Sequence, residues 1–136
     1  MLAHMGGPFW ARKDEAAWSI PKGEHGPDDD PLDAARREFE EEIGRPVPAG
    51  PMVELGAVKQ ASGKVVTAWA LEADIDVSEI ESNTFTVEWP RGSGRMQEFP
   101  EVDRAEWFGV EEARSKLVRG QVPLLDALLA RLAGSV

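Results

Sequence analysis

Residues 30–44 read DPLDAARREFEEEIG, and they carry the start, the apolar stripe and the stop of one helix. Asp30 can accept a hydrogen bond from the first free backbone N–H groups, and Pro31 is favoured at the first helical position. Gly44, followed closely by Pro46, ends the pattern. The apolar residues of the stretch recur at spacings of three and four: Leu32, Ala35, Phe39 and Ile43. The stretch therefore predicts a single amphipathic helix.

Three glutamates share one face of this predicted helix. Because helical residues advance about 100° each, Glu41 and Glu42 fall on either side of Glu38, and the three carboxylates span roughly 100° of arc. Like charges at this spacing destabilise an isolated helix, and Arg37 can offset part of the repulsion by pairing with Glu41. A hard divalent cation such as Mg²⁺, which prefers oxygen ligands, would make the arrangement favourable. The face is either a metal site or an ordinary solvated acidic surface.

The chain as a whole fits one domain, residues 1–136. Patterning predicts strands at 2–5, 17–20, 52–59, 65–73 and 85–89, with further helices at 111–117 and from Pro123 onward. Strands and helices mix without a regular βαβ alternation. The fold class is therefore predicted to be α+β with a mixed β-sheet.

The composition limits the classes of function. The net charge of −10 argues against binding to a nucleic-acid polymer, which needs a basic surface. No apolar run approaches the roughly 18 residues of a membrane span, and the first residues lack the features of a signal peptide. Because the chain contains no cysteine, disulfides and thiolate chemistry are excluded. We expect a cytoplasmic protein without membrane contact. A bound cation would make the acidic chain compatible with a phosphate substrate.

The helix and the loop before it together resemble the signature of the Nudix hydrolases, G-x5-E-x7-R-E-U-x-E-E-x-G-U, in which U is an aliphatic residue. Six residues match at the family's spacings: Gly23, Arg37, Glu38, Glu41, Glu42 and Gly44. Chance agreement at six fixed positions occurs on the order of once in ten million starts, so the signal is specific. Asp29, Phe39 and Arg45 depart from the signature, but none of them removes a carboxylate from the glutamate face. The lead-in WSIPKG at 18–23 also resembles several Nudix branches.

The resemblance implies a Nudix-type α/β/α sandwich and a pyrophosphohydrolase that depends on Mg²⁺, with Mn²⁺ as an alternative ion. It implies that Glu41 and Glu42 are the main metal ligands, and that Glu38 is a further ligand or the general base. The backbone carbonyl of Lys22 would be another ligand, and Gly23 would allow the close backbone approach that this requires.

Many Nudix enzymes draw one more carboxylate from a loop that follows the sheet, shortly before an aromatic residue. Residues 98–107 are predicted to form this loop. Glu101, six residues before Trp107, is the predicted ligand. Glu98 and Asp103 are the alternatives, and an ordinary polar loop is the structural alternative.

Further side chains are candidates for binding the substrate. By the same resemblance, Arg37 would orient the carboxylates through an ion pair. The candidate phosphate-binding cations are Lys13, Lys22, Lys59 and Arg95. Trp10, in a loop flanked by glycine and proline, is the tryptophan predicted to stack on a base. For each cation the alternative is an ordinary surface position, and for Trp10 it is core packing.

We therefore predict hydrolysis of a pyrophosphate bond in a nucleoside diphosphate linked to another group, such as a nucleoside or dinucleoside polyphosphate. The alternative is a Nudix module with little or no activity that binds a nucleotide or a protein partner. Nudix domains begin with a strand that precedes the position of Met1. We expect this strand to be missing, and either a homodimer to compensate for it or the fold to be weakened.

Overall fold

The computed structural model describes residues 1–21, 28–59 and 63–134. The elements are β1 (Leu2–Met5), β2 (Trp18–Ser19), α1 (Pro31–Ile43), β3 (Val53–Lys59), β4 (Val65–Ala70), β5 (Thr84–Glu88), β6 (Met96–Pro100), β7 (Val102–Glu106), α2 (Val110–Lys116) and α3 (Val122–Gly134). Short 3-10 helices lie at Val77–Glu79 and Arg119–Gln121. This mixture of strands and helices confirms the α+β class. None of the described helices is long and apolar enough to cross a membrane.

The helix α1 begins and ends where the sequence predicts. The Asp30 carboxylate accepts a hydrogen bond from the Leu32 N–H at 3.1 Å, and Pro31 occupies the first turn. At the other end Gly44 adopts a left-handed backbone with φ 86°, and its N–H donates to the Glu40 carbonyl at 2.8 Å. These caps fix the length of the helix that carries the three glutamates.

The described strands form three separate antiparallel sheets, whereas the sequence analysis expected one mixed sheet. β1 lies between β2 and β7, β3 pairs with β4, and β5 pairs with β6. A parallel contact is present as an isolated bridge between Trp18 and Leu117. β6 and β7 occupy most of the segment predicted as a loop, so that prediction was wrong. These strands were not predicted because their charged and largely exposed residues show no alternation of apolar and polar types. In addition, β1, the strand that pairs with β7, lies at the opposite end of the chain.

The hairpin of β5 and β6, which we term the arm, pairs with no other described strand. Phe85 lies opposite Phe99 across the pair, with ring centroids 6.2 Å apart. A Cβ atom at Gly7 would lie 2.6 Å from the Phe85 ring, so the loop after β1 packs directly on the arm. A two-stranded hairpin is only marginally stable by itself. These contacts therefore anchor the arm at its base.

Two apolar clusters draw on β1, β2, β3, β4, α2 and α3. The first buries Leu2, Ala17, Trp18, Ala113 and Leu117, and the second buries Val66, Ala68 and Leu124. Ile20 packs against both clusters. The Trp18 ring, 1% exposed, meets the rings of His4 and Phe108 edge-on at 5.0 and 4.9 Å. Such aromatic contacts add about 0.5–1.5 kcal/mol each beyond the burial of area, which makes Trp18 the centre of the first cluster.

Substitution of Gly44 by alanine tests how far the end of α1 depends on glycine. It forces a Cβ into left-handed backbone at a cost of about 1–2 kcal/mol, and that atom would lie 2.6 Å from the Glu81 carbonyl oxygen. Gly92→Ala is the matched control, because Gly92 has φ 77° but nothing within 4 Å of a Cβ. We expect urea unfolding to show that Gly44→Ala loses at least about 1 kcal/mol more than the control. Equal losses would mean that the approach to Glu81 imposes no constraint.

Candidate functional site

The three glutamates of α1 differ in exposure. Glu42 is buried at 9% exposure, Glu38 is half-buried and Glu41 is exposed. Ala34, Glu38 and Glu42 follow one another at intervals of four residues, so they lie along the inward side of the helix. An ordinary solvated acidic surface would leave all three carboxylates in water. The glutamate face instead lies at the boundary between the interior and solvent, where a carboxylate needs a partner or a metal.

Burial raises the pKa of Glu38, and the nearby Glu41 carboxylate raises that pKa further. The two carboxylates therefore repel each other when both are ionised. A divalent cation would relieve this repulsion.

Arg37 pairs with Glu38, whereas the sequence analysis expected a pair with Glu41. Its Nη2 atom lies 3.6 Å from Glu38 Oε1, and its charge opposes the rise in the pKa of Glu38. A guanidinium beside Glu38 therefore opposes the charge that Glu41 places on it. Arg37 is therefore placed to orient the pair.

Backbone hydrogen bonds tie the C-terminal end of α1 to the segment before the arm. The Asn83 N–H donates to the Glu41 carbonyl at 2.7 Å, and the Glu81 N–H donates to the Ile43 carbonyl at 2.9 Å. The Glu101 N–H then donates to the Asn83 carbonyl at 2.9 Å. Glu101 is thus connected to Glu41 through a single intervening residue.

This connection separates the three carboxylates considered for the remote ligand. Glu101 is half-buried where β6 passes into β7. Asp103 is engaged elsewhere, since its Oδ1 atom lies 2.8 Å from His4 Nδ1. Glu98 lies opposite Thr86 on an exposed part of the arm. Glu101 is thus the one of the three whose backbone is joined to the end of α1, and its role as the remote carboxylate stays a prediction.

The donor chemistry of the glutamate face fits a hard divalent cation. Its groups are carboxylates, which are the oxygen ligands that Mg²⁺ and Mn²⁺ accept. Within residues 1–21, 28–59 and 63–134, no three His, Cys, Asp or Glu side chains already converge into a metal site. The assembled part is the Glu38–Glu41 pair beside the buried Glu42. Two further predicted contributors, the Lys22 carbonyl and Gly23, lie outside the described residues.

The other predicted substrate-binding residues lie on separate elements. Lys59 is exposed at the end of β3, and Arg95 is exposed in the turn of the arm. The Lys13 Nζ atom lies 3.8 Å from the centre of the Phe9 ring, in a cation–π contact. Trp10 packs, partly buried, against the first core cluster. This packing favours the core role that was the alternative for Trp10.

The buried contacts of the His4 side chain were not predicted from the sequence. Its ring is fully buried, with Nδ1 2.8 Å from Asp103 Oδ1 and Nε2 2.6 Å from the Lys13 carbonyl oxygen. A carbonyl oxygen only accepts hydrogen bonds, and so does an ionised carboxylate. His4 Nε2 therefore donates to the Lys13 carbonyl, and the ring joins β1 to β7. The available signal was alternation in β1, which puts His4 on the same side as Leu2.

Comparison with known proteins bears on the family and the fold. The NUDIX domain profile matches residues 5–128. The chain is also similar in structure to the E. coli ORF135 protein, with a TM-score of 0.59 and 24% sequence identity. That match covers 98% of this chain and 81% of the E. coli chain, and it shows a shared fold. No curated protein matches the chain.

Glu38→Gln tests the repulsion within the carboxyl pair. Because the pKa of Glu38 is raised, the folded state binds this proton more tightly, and stability falls as pH rises through the window above the ordinary glutamate value. We therefore expect Glu38→Gln to stabilise the protein in EDTA at about pH 7.5 by less than about 1 kcal/mol, since the group is partly solvated, and to do less at about pH 4.

Urea midpoints at the two pH values measure this difference. Glu40→Gln is the matched control, because Glu40 is exposed on the opposite side of the same helix. An equal gain in both variants at the higher pH would contradict a specific repulsion at Glu38.

Proposed function

The chain belongs to the Nudix family, whose members are pyrophosphohydrolases of nucleoside diphosphate derivatives, and we propose that it acts with Mg²⁺ held by the glutamates of α1. The repulsion between the carboxylates of the half-buried Glu38 and the exposed Glu41 carries this proposal. Like charges so placed weaken the helix in the absence of a partner. The same pair of carboxylates gives the helix affinity for a divalent cation.

The proposed donor set combines local and remote oxygens. Glu41 and Glu42 would hold the ion on α1, while Glu101 and the Lys22 carbonyl would add ligands from outside the helix. When bound, the ion would neutralise diphosphate charge and lower the pKa of a coordinated water. The burial of Glu42 supports this assignment, because a buried carboxylate is well placed to bind through a fixed geometry.

Glu38 is the proposed proton acceptor. A water oxygen attacks one phosphorus atom, the water's proton passes to Glu38, and the bridging P–O bond breaks with its electrons leaving on the other phosphate. The raised pKa of Glu38 suits this role, since a general base works best when its pKa approaches the working pH. Arg37, beside Glu38, favours the ionised form that accepts the proton.

The turn of the arm is our candidate for recognising the substrate beyond the scissile bond. The Ser93 N–H donates to the Pro90 carbonyl at 3.1 Å, and the Trp89 N–H donates to the Arg95 carbonyl at 3.0 Å, so hydrogen bonds shape the turn. Arg91 and Arg95 are both exposed there. Guanidinium groups bind phosphate oxygens in a bidentate manner. On a chain of net charge −10, two cations on one turn provide local attraction for an anionic substrate.

Glu41→Gln and Glu42→Gln test the proposed metal face. We expect each to lower metal-dependent turnover by about 100-fold or more, because a metal ligand is lost while the side-chain shape is kept. Phosphate or pyrophosphate release is measured with Mg²⁺ or EDTA on dinucleoside polyphosphates, oxidised nucleoside triphosphates, nucleotide sugars, ADP-ribose and diphosphoinositols. Glu40→Gln, on the opposite side of α1, is expected to retain activity.

Turnover that survives both substitutions would overturn the proposed site. Failure of the folded wild-type chain to hydrolyse any member of the panel would instead support a binding module without activity.

The double substitution Arg91→Gln/Arg95→Gln tests the arm. We expect KM for the best substrate of the panel to rise by about tenfold with a smaller change in kcat, because the lost contacts lie away from the reacting phosphorus. Arg119→Gln is the control, since Arg119 is an exposed cation beside α3. An unchanged KM in the double variant, or an equal rise in the control, would contradict recognition by the arm.

A further inference from the structure

We propose that His4 is a positioning residue of this site, whose buried ring holds a bulge in β7 and thereby sets the direction of the Glu101 side chain. The inference rests on the proposed function, because it concerns how Glu101 is presented to a metal held on α1. It does not depend on the identity of the nucleotide substrate.

The bulge is visible in the pairing of β1 with β7. The strands pair without interruption as far as His4 opposite Arg104, but the next pair is Met5 opposite Val102. Asp103 is therefore an extra residue on β7 with no partner position on β1. One additional residue on one strand of an antiparallel pair is the definition of a β-bulge, and bulges beside active sites often re-aim a side chain.

The bulge reverses the alternation of side chains along β7. Val102 and Ala105 are both buried, at 5% and 4% exposure, although they are three residues apart and a regular strand alternates with a period of two. A regular strand that kept Ala105 inward would also turn Glu101 inward and Val102 outward. With the bulge, Val102 fills the core and Glu101 is half-buried. The direction of the Glu101 carboxylate is thus decided at Asp103.

The His4 ring holds the bulged residue from inside the protein. Its Nδ1 atom lies 2.8 Å from Asp103 Oδ1, and its Nε2 atom donates to the Lys13 carbonyl at 2.6 Å. The ring is 0% exposed and meets the Trp18 ring edge-on at 5.0 Å, so packing fixes its orientation. The two hydrogen bonds therefore clamp Asp103 against a buried ring that cannot turn freely.

A second contact, from the residue that follows β1, holds the backbone on the N-terminal side of Val102. The Gly6 N–H donates to the Glu101 carbonyl at 2.8 Å, and a Cβ atom at Gly6 would lie 1.9 Å from the Pro100 carbonyl oxygen. The chain around His4 and Gly6 thus contacts the residues before and after Val102. Two contacts therefore fix Glu101. The first is the hydrogen bond from the Gly6 N–H to its carbonyl, and the second is the contact of His4 with Asp103, which maintains the alternation of side chains along β7.

Mn²⁺ binding without substrate, measured by electron paramagnetic resonance, tests the clamp through two substitutions of one residue. Asp103→Ala removes the partner of His4 Nδ1. Asp103→Asn keeps it, because the amide N–H can donate to Nδ1 of a neutral ring whose Nε2 proton still reaches the Lys13 carbonyl. We expect Asp103→Ala and Glu101→Gln each to weaken Mn²⁺ binding by about tenfold, and Asp103→Asn to stay within about twofold of wild type.

Two further variants separate positioning from stability. If the clamp acts through Glu101, the combination Asp103→Ala/Glu101→Gln binds Mn²⁺ no more weakly than Glu101→Gln alone. Leu117→Ala, a deletion in the first core cluster, is expected to lower the thermal midpoint without changing Mn²⁺ affinity. His4→Phe should reproduce Asp103→Ala, and the Asp103 variants decide the question if the phenylalanine variant does not fold.

Each contrary result has a distinct meaning. Equal losses in Asp103→Ala and Asp103→Asn would make Asp103 itself a ligand and overturn the clamp. Independent, multiplying losses in the double variant, or Mn²⁺ binding that is unaffected by Glu101→Gln, would overturn it while leaving the glutamates of α1 as a metal site. A wild-type chain that binds no Mn²⁺ would overturn the proposed function itself, and the inference with it.

Discussion

The last carbonyl groups of a helix have no partner within the helix, and in this chain their need for hydrogen-bond donors determines where the site is built. The carbonyls of Glu41 and Ile43 accept hydrogen bonds from the Asn83 and Glu81 N–H groups, so the end of α1 is joined to the segment before the arm. The carbonyl of Asn83 in turn accepts from the Glu101 N–H. One backbone requirement therefore joins the backbone of Glu101, through Asn83, to the helix that carries the three glutamates.

The same helix carries an electrostatic cost that the proposed cation site would explain. Glu38 and Glu41 are held side by side, and partial burial adds to their mutual repulsion in raising the pKa of Glu38. Such groups lower the stability of a fold unless a ligand binds to them, and a ligand that binds only the folded chain restores stability. In the proposed function, a cation bound to the face would neutralise it and offset this cost. Arg37 offsets a part of the cost at all times.

The sequence by itself determined the features whose partners lie within a few residues. The caps of α1 at Asp30 and Gly44 form as predicted, because a helix end is set by hydrogen bonds within one turn. The spacing of the glutamates on one face follows from the helix period alone. The family signature lies in the same continuous stretch, so the order of the residues is enough to indicate the chemistry. The strands β3 and β4 also lie where the sequence predicts strands, at 52–59 and 65–73, because alternation is a property of neighbouring residues.

Only the tertiary structure decided how the rest of the site is held. The contact of His4 with Asp103 joins residues from opposite ends of the chain, and no local sequence pattern predicts it. The bulge that sets Glu101 was hidden for the same reason, because the register of β7 is defined by its pairing with β1. For this reason the charged, exposed residues of β6 and β7 led to the prediction of a loop. Periodicity and capping are properties of neighbouring residues, whereas register and buried polar contacts exist only once distant segments have packed together.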